Sequence, residues 1–431
     1  MLQDELFAEI WKLPAIDVHS HLPRDHMAAD TLDRILFYHM ILYPLRSGGG
    51  DEKRLWAGRW GHEGVNAPRD EWLRHWPSVT STGFGWILRT ILRDLYDFDE
   101  PITEESLPRL EAAFDARVRQ PDWPEQVLGK ANVVRICSSH LDVPPLKDGE
   151  HDGGIRFTIE ATPSSGMHEP GSWQKRLKGM GRHIGRDIDS KQALYEAVAA
   201  FYNKHDWTDK RVLVAWVSSQ ADFLPVSDAD VDRLLADASN GREPDLAGRR
   251  VLEAAFLRAI CEANRERIDV FQVCFGVQFV THHRSHPTSR SAPQFPTTLG
   301  QLVGEFPDIH FNFLTGYENA EPMLTALCVG YRNVSLSSFW WTAFFPETMH
   351  IGWSRRFDMV PTSNLCAFLS DGYIVDYIYG RLALTKRTIA NVLAEKIARG
   401  FLTEDDALRV AREVLFETPR RLFLPDDDIS A

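Results

Sequence analysis

Short apolar runs recur along the chain, separated by longer stretches in which apolar residues return every three or four positions. The short runs are Ala15–His19, Val133–Ser139, Arg156–Ala161, Arg211–Val217, Val270–Gln278, His310–Leu314, Asn333–Ser338 and Leu365–Leu369. Several are apolar on both faces, the signature of parallel strands covered by helices. Between them, Leu246–Arg265, Thr297–Phe306 and Ala320–Tyr331 carry helical spacing. Thr385–Gly400 reads as a helix capped by Thr385 and stopped at Gly400. Thr403–Phe416 reads as another, with acids in its first turn. Eight strands alternating with helices predict an α/β fold, a closed (β/α)8 TIM barrel. A doubly wound open sheet is the alternative. It would normally announce a nucleotide through a glycine-rich first loop, and neither GxGxxG nor GxxxxGK[ST] occurs.

The alternation is broken once. Roughly 110 residues separate His21 from Val133, too many for one crossover. The stretch Asp30–Pro124 is rich in Trp, Phe and Leu at helical spacing. It predicts a helical insertion (30–124) near the barrel mouth, with Ser47–Gly50 as a flexible loop inside it. The barrel is then built from 1–29 and 125–431.

Composition narrows the partners. Of 431 residues, 25% are charged and 44% hydrophobic, which excludes a disordered chain. Lys and Arg number 48 against 61 Asp and Glu, a net charge of −13, and no basic stripe offsets it. A nucleic-acid partner is not expected. No apolar run reaches the roughly 18–20 residues that cross a membrane, and the start lacks a basic segment followed by an apolar one. A membrane partner and a signal peptide are therefore not expected. The five cysteines form no CxxC pair, the usage of reduced, buried thiols in a cytoplasmic protein. A homo-oligomer stays open, because soluble enzymes commonly self-associate and no interface is legible.

The sharpest chemical signal is Asp17-Val18-His19-Ser20-His21. Side chains at i and i+2 of a strand share a face, so His19 and His21 can point together into the mouth of a barrel, where such folds build their sites. Two imidazoles so placed can hold one divalent ion. Alternatively they are ordinary polar loop residues. Asp371 follows the last apolar run and is placed for a ligand or proton carrier; its plainer role is a helix N-cap, which Ser370 could fill instead. First and eighth strands of a closed barrel are neighbours, so His19, His21 and Asp371 can converge.

These residues carry a resemblance. The His19-Ser20-His21 motif, the long insertion and the terminal-strand Asp371 resemble the amidohydrolase superfamily, and most closely its uronate isomerase branch. Phe37-Tyr38-His39 resembles that branch's Tyr-His element, Ser338-Phe339-Trp340-Trp341 its Trp-Trp segment, and Thr362-Ser363 through Ser370-Asp371 its eighth strand. The resemblance implies one divalent metal ion, commonly zinc, on His19, His21 and Asp371. It implies an aldose–ketose isomerase acting on a uronate or related sugar acid through an enediol. Asp371 would move the proton, and Tyr38 and Tyr373 would assist. The chain departs from the family pattern at two arginines. Asp371-Gly372-Tyr373 stands where Asp-x-Arg is expected, and Glu160 stands where an Arg is expected on the third strand. Tyr or Glu cannot supply the guanidinium fork that pairs with a carboxylate.

The replacement is sought in Arg284, Arg24 and Arg356, with His26, His39, His283, Trp340 and Trp341 as further candidates for the substrate pocket. Trp340 and Trp341 read equally as packing, and Tyr38 and His39 as core of the insertion. Strands four to six offer Trp216, Gln272, Cys274 and Asn312, not the extra ligands of a two-metal site, so one metal is favoured. A mononuclear hydrolase or decarboxylase on a different substrate is the second reading. A barrel used only for binding is the third, with little reason to expose two imidazoles and a carboxylate.

Overall fold

The computed structural model describes residues 2–61, 64, 66–139, 154–160, 173–205, 211–217, 221–276, 295–426 and 429, with the side chains of 156–160 and 295–297 left out. Among them seven strands form one parallel sheet in sequence order. They are β1 (Ala15–Ser20), β2 (Val133–Ser139), β3 (Ile155–Glu160), β4 (Val212–Trp216), β5 (Val270–Phe275), β6 (His310–Thr315) and β7 (Val334–Leu336). Each sequence-predicted run except the last falls on one of these, with ends shifted by a residue or two on most. β5 stops earlier than expected because Gly276 takes φ +87°, which ends the extended backbone; Gln278 lies outside the described residues, as does Ala161.

The eighth run, Leu365–Leu369, is not a strand; it makes one isolated parallel bridge, Leu336 to Leu365. The reason lies in where its N–H groups go. Cys366 donates to Leu336 of β7 at 2.9 Å, but Ala367 donates sideways to Val414 at 2.7 Å. Ser370 donates to the Asp17 carboxylate at 2.9 Å rather than to a neighbouring main chain. On its other side the segment meets β1. Val18 donates to Phe368 at 3.2 Å, Asp371 to His19 at 2.9 Å, and His21 to Gly372 at 2.9 Å. The segment is thus seated between β7 and β1 by main-chain bonds too irregular for a ladder.

Two helical expectations need correction. Thr385 caps nothing, because it lies buried inside the 24-residue helix Val375–Ala398. That helix does stop just before Gly400, which takes φ +76°. Thr403 caps as expected, through a reciprocal capping box with Asp406, but the helix from Glu404 ends at Arg412 and continues as a π turn over Glu413–Glu417. Neither Ser370 nor Asp371 caps a helix, since the next one begins at Val375, with Ile374 before it.

Between β1 and β2 the chain is helical, including Leu32–Leu36, Leu42–Ser47, Arg69–Val79, Gly83–Tyr96 and Leu107–Val118. Val375–Ala398 is buried along most of its length. Gly83–Tyr96 lies against it where Gly380 has no side chain: a Cβ there would sit 2.8 Å from Ile87 and Ile91. The buried Lys386 ammonium donates to the carbonyls of Trp11, Leu13 and Ala131 at 2.9, 2.7 and 3.3 Å. It thereby ties the C-terminal ends of the helices Leu2–Lys12 and Trp123–Ala131 to this one, where a cation suits the helix dipoles. All five cysteines are buried and free. No helix among the described residues is long and apolar enough to cross a membrane.

Candidate metal centre

β1 places His19 and His21 at its C-terminal end, and the segment after Leu365–Leu369 returns Asp371 beside them. One donor atom from each of the three lies within 4.8 Å of the others. His19 Nε2 is 3.5 Å and His21 Nε2 3.3 Å from Asp371 Oδ1. The imidazole planes are nearly perpendicular, with centroids 5.2 Å apart, so two nitrogens converge on one point rather than stack. Asp371 adopts a left-handed backbone, φ +51°, which Asp tolerates better than most residues. Burial alone would raise its carboxyl, but hydrogen bonds and charge from His19 and His21 hold it well below the usual carboxylate range. It stands ionised. Two imidazole nitrogens and a carboxylate oxygen are the donor set of a mononuclear divalent site with further positions open to substrate, and their convergence fits such an ion.

Asp17, two residues before His19, is fully buried. One oxygen accepts from the N–H groups of Ser370 and His19, which locks the Asp371 segment onto β1. Burial raises its carboxyl to about 7.

Several other expected residues gather around the trio. Tyr38 is buried, stacks on Tyr377 at 3.7 Å, and donates to the Asp371 carbonyl at 3.5 Å. Its oxygen accepts from the Tyr373 N–H at 3.3 Å. Burial, with the negative Asp371 beside it, raises the phenol well above its ordinary value, so it stays protonated. Tyr373 lies flat against His21, centroids 4.8 Å apart. His39 is buried against Tyr38 and Tyr373. Burial pulls its imidazole down to about 3, which keeps it neutral, and its Nδ1 has no hydrogen-bond partner among the described residues. Trp340 and Trp341 are both buried, and the Trp340 ring stands edge-on to Trp216 at 5.5 Å. Arg24 is half-buried and His26 exposed, in the segment leaving β1. Glu160 ends β3, with its side chain outside the described set, and His283 and Arg284 lie outside the described residues altogether.

Arg356 is a correction. It lies inside the helix Pro346–Met359, not in a loop. Its guanidinium is buried in a two-pronged pair with Glu321, at 2.7 and 3.0 Å, and donates to the Ser337 carbonyl at 2.6 Å. Phe339 covers it at 4.2 Å. With its fork committed to Glu321, it is not a carboxylate receptor.

Sequence reasoning missed three participants. Trp60 packs against His39 at 4.4 Å and Tyr373 at 4.8 Å. It holds φ +71°, a strained conformation for a bulky residue and one that clusters at functional sites. The signal was its position between two glycines, Gly58 and Gly61. Arg381 is buried and donates to the carbonyls of Ser370 and Trp340, joining the ends of two strand-like segments. A lone charge in the apolar run YIYGRLAL was its signal. Gln272 Oε1 lies 2.7 Å from His19 Nδ1; its signal was an amide inside an apolar strand.

No protein-family model matches the chain. Among curated proteins it is 23% identical to the uronate isomerase of Cutibacterium acnes, over 97% of this chain and 94% of that one. Among solved structures it is similar to the uronate isomerase of Thermotoga maritima, with a TM-score of 0.80 at 15% identity, covering 98% of this chain and 97% of that one. The glucuronate isomerase of Caulobacter crescentus gives a TM-score of 0.80 at 16% identity, covering 100% and 95%. The chain therefore shares the fold of these proteins along nearly its whole length, as a divergent relative.

Proposed function

We propose that the protein is a metal-dependent aldose–ketose isomerase acting on a uronate or related sugar acid, with its site at the C-terminal ends of β1 and the Asp371 segment. The convergence of His19, His21 and Asp371 within 4.8 Å carries this reading, in a chain whose relatives in sequence and fold are named uronate and glucuronate isomerases. The scaffold we propose is a (β/α)8 barrel closed by Leu365–Leu369 in the eighth place, with 30–124 as a helical insertion beside the mouth.

His19, His21 and Asp371 would hold one divalent ion, for which zinc suits the N, N, O donor set. Such an ion would polarise a carbonyl and an adjacent hydroxyl oxygen of the open-chain sugar. The remaining chemistry falls to side chains. Asp371, ionised, accepts the proton from the carbon bearing the hydroxyl, and the hydroxyl proton moves to the carbonyl oxygen. The resulting enediolate is reprotonated on the neighbouring carbon from the same carboxyl, which interchanges aldose and ketose with no net gain or loss of atoms. Tyr38, held protonated, and Tyr373 supply hydroxyls beside the reacting oxygens. His39, neutral, Trp340 and Trp341 would wall the pocket, and His26, Glu160 and His283 are further residues that we propose contact the substrate. Arg24 and Arg284 are the partners we propose for the substrate carboxylate, since a desolvated anion without one costs several kcal/mol.

Metal stripping and add-back test the reading. Chelated protein should convert neither glucuronate nor galacturonate to a ketose, and a divalent ion should restore conversion. Release of acid or carbon dioxide from other carboxylates, without ketose formation, contradicts it.

A further inference from the structure

His19 can bind an ion through Nε2 only if its other nitrogen carries the proton, so something must choose the tautomer. The structure assigns that task to Gln272: we infer that it is a positioning residue that holds the hydrogen of His19 on Nδ1, so that Nε2, which faces Asp371, is the nitrogen that gives up its proton to the ion. This rests on the reading of His19, His21 and Asp371 as a metal centre.

Hydrogen-bond capacity decides which nitrogen carries the hydrogen. Gln272 is fully buried on β5. Its Nε2 lies 3.3 Å from the main-chain carbonyl of Val18 and 3.1 Å from Asn312 Oδ1, while its Oε1 lies 2.7 Å from His19 Nδ1. A side-chain amide can in principle be turned end for end. Here it cannot, because Val18 presents a carbonyl that only accepts; turning the amide would set oxygen against oxygen. The NH₂ end is therefore fixed toward Val18, and Oε1 toward His19. An acceptor at 2.7 Å demands a donor, so Nδ1 carries a hydrogen and the ring's other nitrogen is left for the ion.

The amide is itself held. Gln272 pairs in register with Asn312 on β6, and Asn312 with Ser335 on β7, so the three form one row across adjacent strands. Asn312 Oδ1 accepts from Gln272 and, at 2.7 Å, from Ser337 Oγ; its Nδ2 donates to Ser335 Oγ at 2.9 Å. All four of these residues are fully buried. The two hydroxyls rotate to suit, so the one orientation set at Val18 propagates through the row. The polar residues inside β5 and β6 thus serve the single site from behind, at positions that add no ligand for a second ion.

The test uses full-length protein with ¹⁵N-labelled histidine. Ring ¹⁵N shifts of metal-free wild type report which nitrogen of His19 is protonated, with the His19 signals assigned by their loss in His19→Ala. Binding of zinc is then compared among wild type, Gln272→Met and Gln272→Glu by competition with a chelator. We expect Nδ1 protonated in wild type. Gln272→Met, similar in size but without the acceptor, should weaken zinc binding by about 10–100-fold. Gln272→Glu keeps an acceptor toward His19 and, with a proton on the oxygen that meets Val18 and Asn312, should recover part of it. A bare Nδ1 in wild type, or a Met variant that binds zinc as tightly as wild type, overturns the assignment. If wild type binds no divalent ion, the metal reading fails, whereas the tautomer in the same metal-free sample still decides whether Gln272 sets it.

Discussion

At the scale of single residues, the site is assembled from groups whose pairing is fixed before any substrate arrives. Asp371 is ionised because His19 and His21 face it, and Tyr38 is protonated because it is buried beside that charge. Replacing Asp371 by Asn keeps the shape and removes the base. Steady-state assays of Asp371→Asn should show a turnover lowered by about 10²–10⁴-fold, with weaker metal retention on desalting. Arg356 behaves differently. Its partner Glu321 is as deeply buried as it is, so Arg356→Met strands a carboxylate in the interior. Urea unfolding should show a loss of about 3–5 kcal/mol, while the preference for an acid over its amide stays unchanged in the folded fraction. A changed preference at unchanged stability would return Arg356 to the substrate pocket. From the sequence alone Arg356 looked available, because a buried ion pair cannot be read until Glu321 is brought to it by folding.

At the scale of elements, legibility followed periodicity. β1 to β7 announced themselves as apolar runs, and the HxH motif fell where a strand's period of two puts it on one face. The eighth run has the same composition, yet Leu365–Leu369 does not make a ladder. Its N–H groups are diverted to Val414 and to the Asp17 side chain, and apolar pattern says nothing about where an N–H points. Thr385 misled for a related reason: it is a good cap by chemistry, but the helix had already begun at Val375 under cover of the helices packed around it. Gly380 records that cover. Its added methyl would press on the branched Cγ atoms of Ile87 and Ile91, so Gly380→Ala should destabilise by about 1–3 kcal/mol despite its better helix propensity. Chemical denaturation tests this; a stabilised variant would show that the two helices can part at no cost.

At the scale of the whole molecule, a row of hydrogen bonds inside an apolar sheet runs from His19 to the half-buried His310. His310 stands at the start of β6, 2.9 Å from Ser335 Oγ. Burial, with the charge of Arg421 as a second cause, pulls its imidazole down to about 4. In the unfolded chain it titrates near 6.5. Between those values the unfolded state binds more protons, so the stability present above about pH 6.5 is lost as pH falls toward 4. From pH 7.5 to pH 5, wild type should lose about 2 kcal/mol more than His310→Gln, read from urea midpoints at both pH values. Equal losses would place His310 in contact with water. None of this row was legible as a network, since Gln272, Asn312, Ser335 and His310 are scattered over three strands and only register brings them together.

In the proposed reaction the converged trio runs a proton between adjacent carbons of an acid sugar. Its most direct measurement is proton NMR of the metal-loaded protein with glucuronate or galacturonate in deuterated water. Ketose signals should grow, solvent deuterium should enter at the carbon receiving the proton, and both should cease in Asp371→Asn. A metal-loaded sample that leaves both acids unconverted, with no deuterium entering either, contradicts that reaction.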